Sequence, residues 1–259
     1  MVHVLNFASN GYENARKWNT NSAYKCGADI VYEYTLQDVD GMFWDKNVSI
    51  LEKERGCGYW LWKPYFIVNT LEKVQENDWI IYSDSGMYFR QSIKKYIKQL
   101  ESDNITFISR TTKFKEKQFT KRDVFVEMNC DISEYTDSLQ RAASVILVKN
   151  TERNRAIVRE WLEIAQNYHW ITDEPNRNGL ANYGEFIDHR HDQSLFSLLC
   201  KKYDIVCNKD LFLDLAIPFK RNSLLVDHHS KYGNLPQASM ATVIRVLKML
   251  YGDWKRKRV

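Results

Sequence analysis

Four clusters of polar side chains in this 259-residue chain have the types and spacing to do chemistry. In IIYSDSG, residues 80–86, an apolar run ends at Tyr82 and delivers Ser83, Asp84, Ser85 and Gly86 to its C-terminal edge. A carboxylate there, followed by small residues, can hold a divalent cation against a diphosphate, because hard cations prefer carboxylate and phosphate oxygens. The same letters also spell an Asp-Ser-Gly turn. In DHRHDQS, residues 188–194, two histidines, an arginine, two aspartates and a glutamine crowd the start of an apolar helical run. Asp188 or Asp192 can simply cap that helix, and a helix N-terminus also attracts anions, so capping and catalysis are compatible. RGCGYWLWKPY, residues 55–65, sets Trp60, Trp62 and Lys63 at the entrance of a helix whose first turn accommodates Pro64. Those side chains suit a sugar face or a phosphate, although tryptophans are more often core. VDHHSKYG, residues 226–233, offers His228 and His229 as imidazole ligands and Lys231 as a charge for phosphate, or else a solvated surface turn.

The elements that must position these groups follow from hydrophobic patterning. Short apolar runs rich in β-branched and aromatic residues predict strands at 2–8, 30–34, 79–82, 105–108, 145–148 and 205–207. Helical spacing appears at 64–74, 93–100, 155–168 and 194–203, with Thr151 as a cap before the third. Strands alternating with helices imply an α/β fold with a mostly parallel central sheet, which binds ligands at the carboxyl ends of its strands. Residues 110–140 and 170–190 are polar and read as long functional loops that set the acceptor.

Composition narrows the class. Hydrophobic residues at 44% and charged residues at 27%, with no apolar run long enough to span a bilayer, describe a globular protein. The start, MVHVLNFAS, lacks a basic n-region and a small-residue cleavage site, so a cytoplasmic protein is expected. Five scattered cysteines without a C-x-x-C pair read as reduced thiols. The net charge of +4 is a property of the tail, because residues 241–259 carry six Lys and Arg against one Asp. No nucleic-acid face is expected from that distribution. The signatures of dinucleotide dehydrogenases, P-loop enzymes, common serine hydrolases and zinc proteases are missing from the sequence.

Taken in order, NFAS at 6–9, RGCGYWLWKPY, YSDSG and RHDQS at 190–194 resemble a family of GT-A fold sugar-nucleotide glycosyltransferases found in bacterial surface-polysaccharide loci and some large viruses. The resemblance covers residues 2–235 and implies one GT-A catalytic domain over 1–240. It implies donor contacts from Phe7, Ala8 and Ser9 at the end of the first strand, and from Trp62, Lys63, Ser83, Asp84, Ser85, Arg190, His191 and Lys231. It implies Mn2+ or Mg2+ held by Asp84, with His228 or His229 making up for Gly86, which stands where the family has a second aspartate. Asp192 and Gln193 would be the catalytic pair, of which only Asp192 can take a proton. The implied reaction moves a sugar from a nucleotide diphosphate, UDP by expectation, to a saccharide or lipid-linked saccharide with retention of configuration, in surface polysaccharide biosynthesis. A sugar nucleotidyltransferase and an inactive nucleotide-sugar or carbohydrate-binding protein are the alternatives. NFASNGYENAR lacks the glycine-rich basic signature of the first, and the missing second aspartate favours the second.

Residues 241–259 form a helical appendage in this reading. Val243, Val246, Leu247, Leu250 and Trp254 recur at helical steps, and Lys255 to Arg258 are all basic. That pattern suits either packing on the domain or peripheral attachment to an anionic membrane, by expectation the inner face of the cytoplasmic membrane.

Overall fold

The computed structural model describes residues 1–208 and the short strand Ala216–Pro218. In chain order the elements are β1 (Val2–Phe7), α1 (Glu13–Lys25), β2 (Ile30–Tyr34), α2 (Gly41–Leu51), α3 (Gly56–Tyr59), α4 (Trp62–Lys73), β3 (Trp79–Ser83), β4 (Met87–Phe89), α5 (Ile93–Ser102) and β5 (Phe107–Lys115). Then follow α6 (Glu116–Phe119), α7 (Arg122–Glu127), α8 (Ser133–Thr136), β6 (Leu139–Lys149), α9 (Glu152–Ala165), α10 (Tyr168–Ile171), α11 (His191–Lys202), β7 (Val206–Cys207) and β8 (Ala216–Pro218). The expected mixed α/β architecture is present. Six strands form a sheet in the order β2-β1-β3-β6-β5-β7, in which β1, β2 and β3 run parallel and β6 alone is reversed against both neighbours. β4 and β8 pair separately and antiparallel.

Alternation along the strands builds two apolar layers, as the two-residue side-chain period requires. Leu5, Phe7, Ile80, Tyr82, Ile146 and Val148 join one core with residues of α4, α9 and α11. Val2, Val4, Trp79, Ile81, Val145 and Leu147 join the other with Ala23 of α1 and Ile93, Ile97 and Leu100 of α5. A sheet covered on both faces explains why β1 and β3 are buried along their whole length. Helix starts follow the capping chemistry where a hydroxyl is available: Ser92 accepts from the Lys95 N–H at the head of α5, and Thr151 from the Asn154 N–H at the head of α9.

Three expectations need correction. The polar stretch 110–140 is not a loop, because β5 runs on to Lys115 and β6 begins at Leu139, with three short helices between them. The outer half of β5 reads as polar because it is only half-buried, and pairing with β6 through two register shifts sustains it. The helix expected at 194–203 starts at His191, so Asp192 and Gln193 lie inside its first turn and the cap position falls to Arg190. The helix expected at 64–74 starts at Trp62, with Lys63 in its first turn. The proposed domain limit at residue 240, and the tail beyond it, lie outside the described residues.

Candidate active site

Three chain ends converge at the carboxyl edge of the parallel strands. β3 ends on Ser83 and presents Asp84, α4 begins with Trp62 and Lys63, and α11 begins with His191 and Asp192. The Lys63 ammonium lies 2.9 Å from Oδ2 of Asp192 and 3.8 Å from Oδ1 of Asp84. Lys63 and Asp192 are 4% and 3% exposed, whereas the Asp84 side chain keeps 42% of its surface. Burial pushes the Asp192 carboxyl up to about 6; Lys63 works against that shift and Asp84 adds to it. Burial depresses the lysine, but Asp192 and Asp84 more than offset it and hold the ammonium above its ordinary range. Tyr82, buried at the end of β3, donates its hydroxyl to Oδ1 of Asp84 at 2.5 Å. Burial and the neighbouring carboxylate push that phenol well above its usual range, which keeps it a donor.

A left-handed turn aims Lys63 into the site. Residues 56–60 all have positive φ, including the non-glycines Cys57, Tyr59 and Trp60. The chain thereby folds back so that the Trp62 indole N–H reaches the Gly56 carbonyl at 2.9 Å, while the ring stacks on Phe7 with centroids 3.7 Å apart. Trp62, Phe7 and Ala8 are buried in this stack, and the Ala8 N–H bonds the Tyr34 carbonyl. The Ser9 carbonyl accepts from Tyr12 as α1 approaches. Ser83 and Ser85 are buried beside Asp84, with Ser83 Oγ accepting from Asn19.

The other RHDQS side chains are tied to the protein. His191 Nδ1 faces the Ile171 carbonyl at 2.7 Å and its ring lies against Tyr59 and Trp60. The Arg190 guanidinium stacks on Phe119 and reaches Gln140. Gln193 accepts from the Ala143 N–H and donates to Gln140 Oε1. Asp188 and Asp173 both pair with Arg55, which pins the 172–190 loop to the left-handed turn. Lys231, His228 and His229 lie outside the described residues.

Among the described residues, no group of three or more His, Cys, Asp and Glu side chains is placed to hold a metal ion. Asp84, the one carboxylate of the expected Mn2+ or Mg2+ site, shares an ammonium with Asp192, and that ammonium sits 3.8 Å from Asp84. A divalent ion beside it would meet a like charge, so the described residues do not by themselves form a protein-held metal site.

Sequence patterns alone passed over several groups that shape this edge. Asn19 and Asn6 are fully buried amides: Asn19 donates to Ser83 Oγ and to the Asp84 and Met87 carbonyls, and Asn6 donates to Asn19 Oδ1. An asparagine in the mainly apolar VHVLNF strand was the available signal for this hub. Gln140 and Glu116 had no comparable signal, because each sits in a stretch that reads as polar loop.

No protein-family model matches the chain, and no curated protein matches it. Solved structures resemble it in shape. The apo-form glycosyltransferase GlyE of Streptococcus pneumoniae TIGR4 matches with 13% identity and a TM-score of 0.43, over 81% of this chain and 45% of that one. The galactosyltransferase LgtC, solved with donor and acceptor sugar analogs, matches at 12% identity and a TM-score of 0.43, over 79% of this chain and 72% of that one. A Bacillus anthracis protein assigned as a glucose-1-phosphate thymidylyltransferase matches at 10% identity and a TM-score of 0.37, over 80% of this chain and 86% of that one. The chain thus spans less than half the length of the GlyE structure, and these likenesses carry no residue role across.

Proposed function

We propose that this chain is a GT-A-type glycosyltransferase that moves a sugar from a nucleotide-diphosphate donor, a UDP-sugar in the first instance, to a saccharide or lipid-linked saccharide acceptor. The observation that carries this reading is the meeting of Asp84, Lys63 and Asp192 at the carboxyl edge of β3, beside the end of β1. Ligands of open α/β sheets bind at that edge, and the residues there come from three of the motifs that resemble the family.

In the transfer, the acceptor oxygen bonds to the anomeric carbon, the bond from that carbon to the β-phosphate oxygen breaks with its electron pair leaving on the phosphate, and the acceptor's hydroxyl proton passes to the departing phosphate. Asp192 serves best as a carboxylate in this step: it accepts a hydrogen bond from a sugar hydroxyl and stabilises positive charge developing at the anomeric carbon. Lys63 favours its ionised form despite burial, and Asp84, held by Tyr82, is the exposed carboxylate offered to the donor.

Incubating the protein with UDP-, GDP- and dTDP-sugars, with and without Mn2+, should release nucleoside diphosphate from one of them. Binding without release would instead mark a nucleotide-sugar-binding protein, and pyrophosphate release from a nucleoside triphosphate and a sugar 1-phosphate a nucleotidyltransferase. Neither binding nor release with any donor would sink the reading.

A further inference from the structure

Beneath the RHDQS segment lies a chain of hydrogen bonds, buried at Glu116 and half-buried at Gln193, that all run in one direction. It begins at Glu116, fully buried at the head of α6, whose carboxylate accepts from Thr120 Oγ1 at 2.8 Å, from Gln140 Nε2 at 3.1 Å and from Ser197 Oγ, and pairs with Lys201. Gln140, also fully buried, turns its Oε1 the other way and accepts from Gln193 Nε2 at 2.8 Å and from Arg190 Nη1 at 3.2 Å. Gln193 Oε1 then accepts from the Ala143 N–H of β6 at 3.2 Å.

An amide is nearly symmetric in shape, so packing does not decide which end faces which neighbour. Here charge decides. A carboxylate only accepts, so Gln140 must offer it the NH2 group, and its oxygen is left to meet a guanidinium and a second amide. Turned over, Gln140 would set oxygen against the fully buried Glu116 carboxylate and NH2 against the Arg190 guanidinium, two repulsive contacts of which the first has no water to screen it. The orientation passes to Gln193, which must then donate one Nε2 hydrogen to Gln140 and keep the other. Gln193 is half-buried, and among the described residues its second Nε2 hydrogen has no protein acceptor, which leaves it for a ligand.

We infer that Glu116 and Gln140 are positioning residues, which act through Arg190 and Gln193 to fix the direction in which the Gln193 amide meets the bound sugar. This rests on the transferase reading above and assigns a role to two residues outside its motifs.

Two variants test it in the full chain. Gln140→Met removes the relay at nearly constant volume, and Glu116→Gln combined with Lys201→Met removes the polarising charge without leaving its partner unpaired. Each should keep the donor KM within about twofold and lower kcat by at least about tenfold, the signature of an interaction needed in the transition state and not in binding. The Gln193 side-chain amide resonances, assigned by their loss in Gln193→Met, should shift in both. Wild-type kcat in both folded variants would overturn the inference while leaving the transferase reading intact. Failure of both variants to fold would make the network structural and overturn it too. A wild-type protein that neither binds nor turns over any donor would remove the transferase reading itself.

Discussion

Asp192 is the residue on which the proposed chemistry turns, and its setting gives a pH dependence with a definite sign. Its carboxyl is raised to about 6, so it carries charge at neutral pH and loses it as the pH falls through that value. Because the ionised form is the one proposed to work, donor turnover should fall on the acid side with an apparent pKa near 6. Lys63 opposes the rise, so Lys63→Met should move that acid limb to higher pH, measured as kcat/KM against pH. A limb that stays in place would separate Lys63 from the control of Asp192. Asp192→Asn should cost at least about a hundredfold in turnover, the scale of a lost acid-base or charge-stabilising group. The types and order of these residues were legible in the motifs. Their arrangement was not: Lys63 read as a phosphate cation at a loop mouth, whereas the fold buries it between two carboxylates, a relation that only tertiary packing creates.

At the scale of elements, the left-handed turn at 56–60 is the most constrained stretch of the site. A Cβ on Gly58 would stand 2.7 Å from the Leu51 Cα, and one on Gly56 would stand 2.3 Å from the Trp60 ring. Both glycines also have positive φ, so Gly58→Ala should cost on the order of 1–2 kcal/mol from backbone handedness alone, with the clash added. The denaturation midpoint of that variant measures it, and an unchanged midpoint would show that the turn is not held in this form. Two glycines in RGCGYW signalled a tight path, but nothing in the letters foretold that cysteine, tyrosine and tryptophan would share the left-handed conformation. Buried strands with strong β-branched character were legible for the same reason that they are buried. β5 was cut short because its outer half is half-exposed and takes its stability from β6 across a long separation in sequence.

For the whole molecule, the two-sided sheet follows directly from the alternation of apolar runs with helical segments, and that level of organisation was readable. No helix among the described residues is long and apolar enough to cross a membrane. The expected peripheral attachment rests on the sequence of the tail at 241–259 alone, where the spacing of Val243, Val246, Leu247, Leu250 and Trp254 with four consecutive cations suits an anionic lipid surface. Deleting those residues should abolish salt-sensitive binding to anionic vesicles and leave donor hydrolysis unchanged. Equal vesicle binding by the full-length and shortened proteins at low salt would assign the basic run to something else.

The reversed strand β6 also has a consequence in time. It lays its backbone against β3, where the Asp84 N–H bonds the Ser144 carbonyl, and it hands the Ala143 N–H to Gln193. The parts of the site therefore leave the ribosome in the order Lys63, Asp84, β6, Asp192, with long intervening segments, and no earlier stretch of the nascent chain holds both carboxylates. Pairings so distant in sequence close late. A growing chain would bring Asp84, Lys63 and Asp192 together only once α11 has emerged, so the proposed site is assembled late in synthesis.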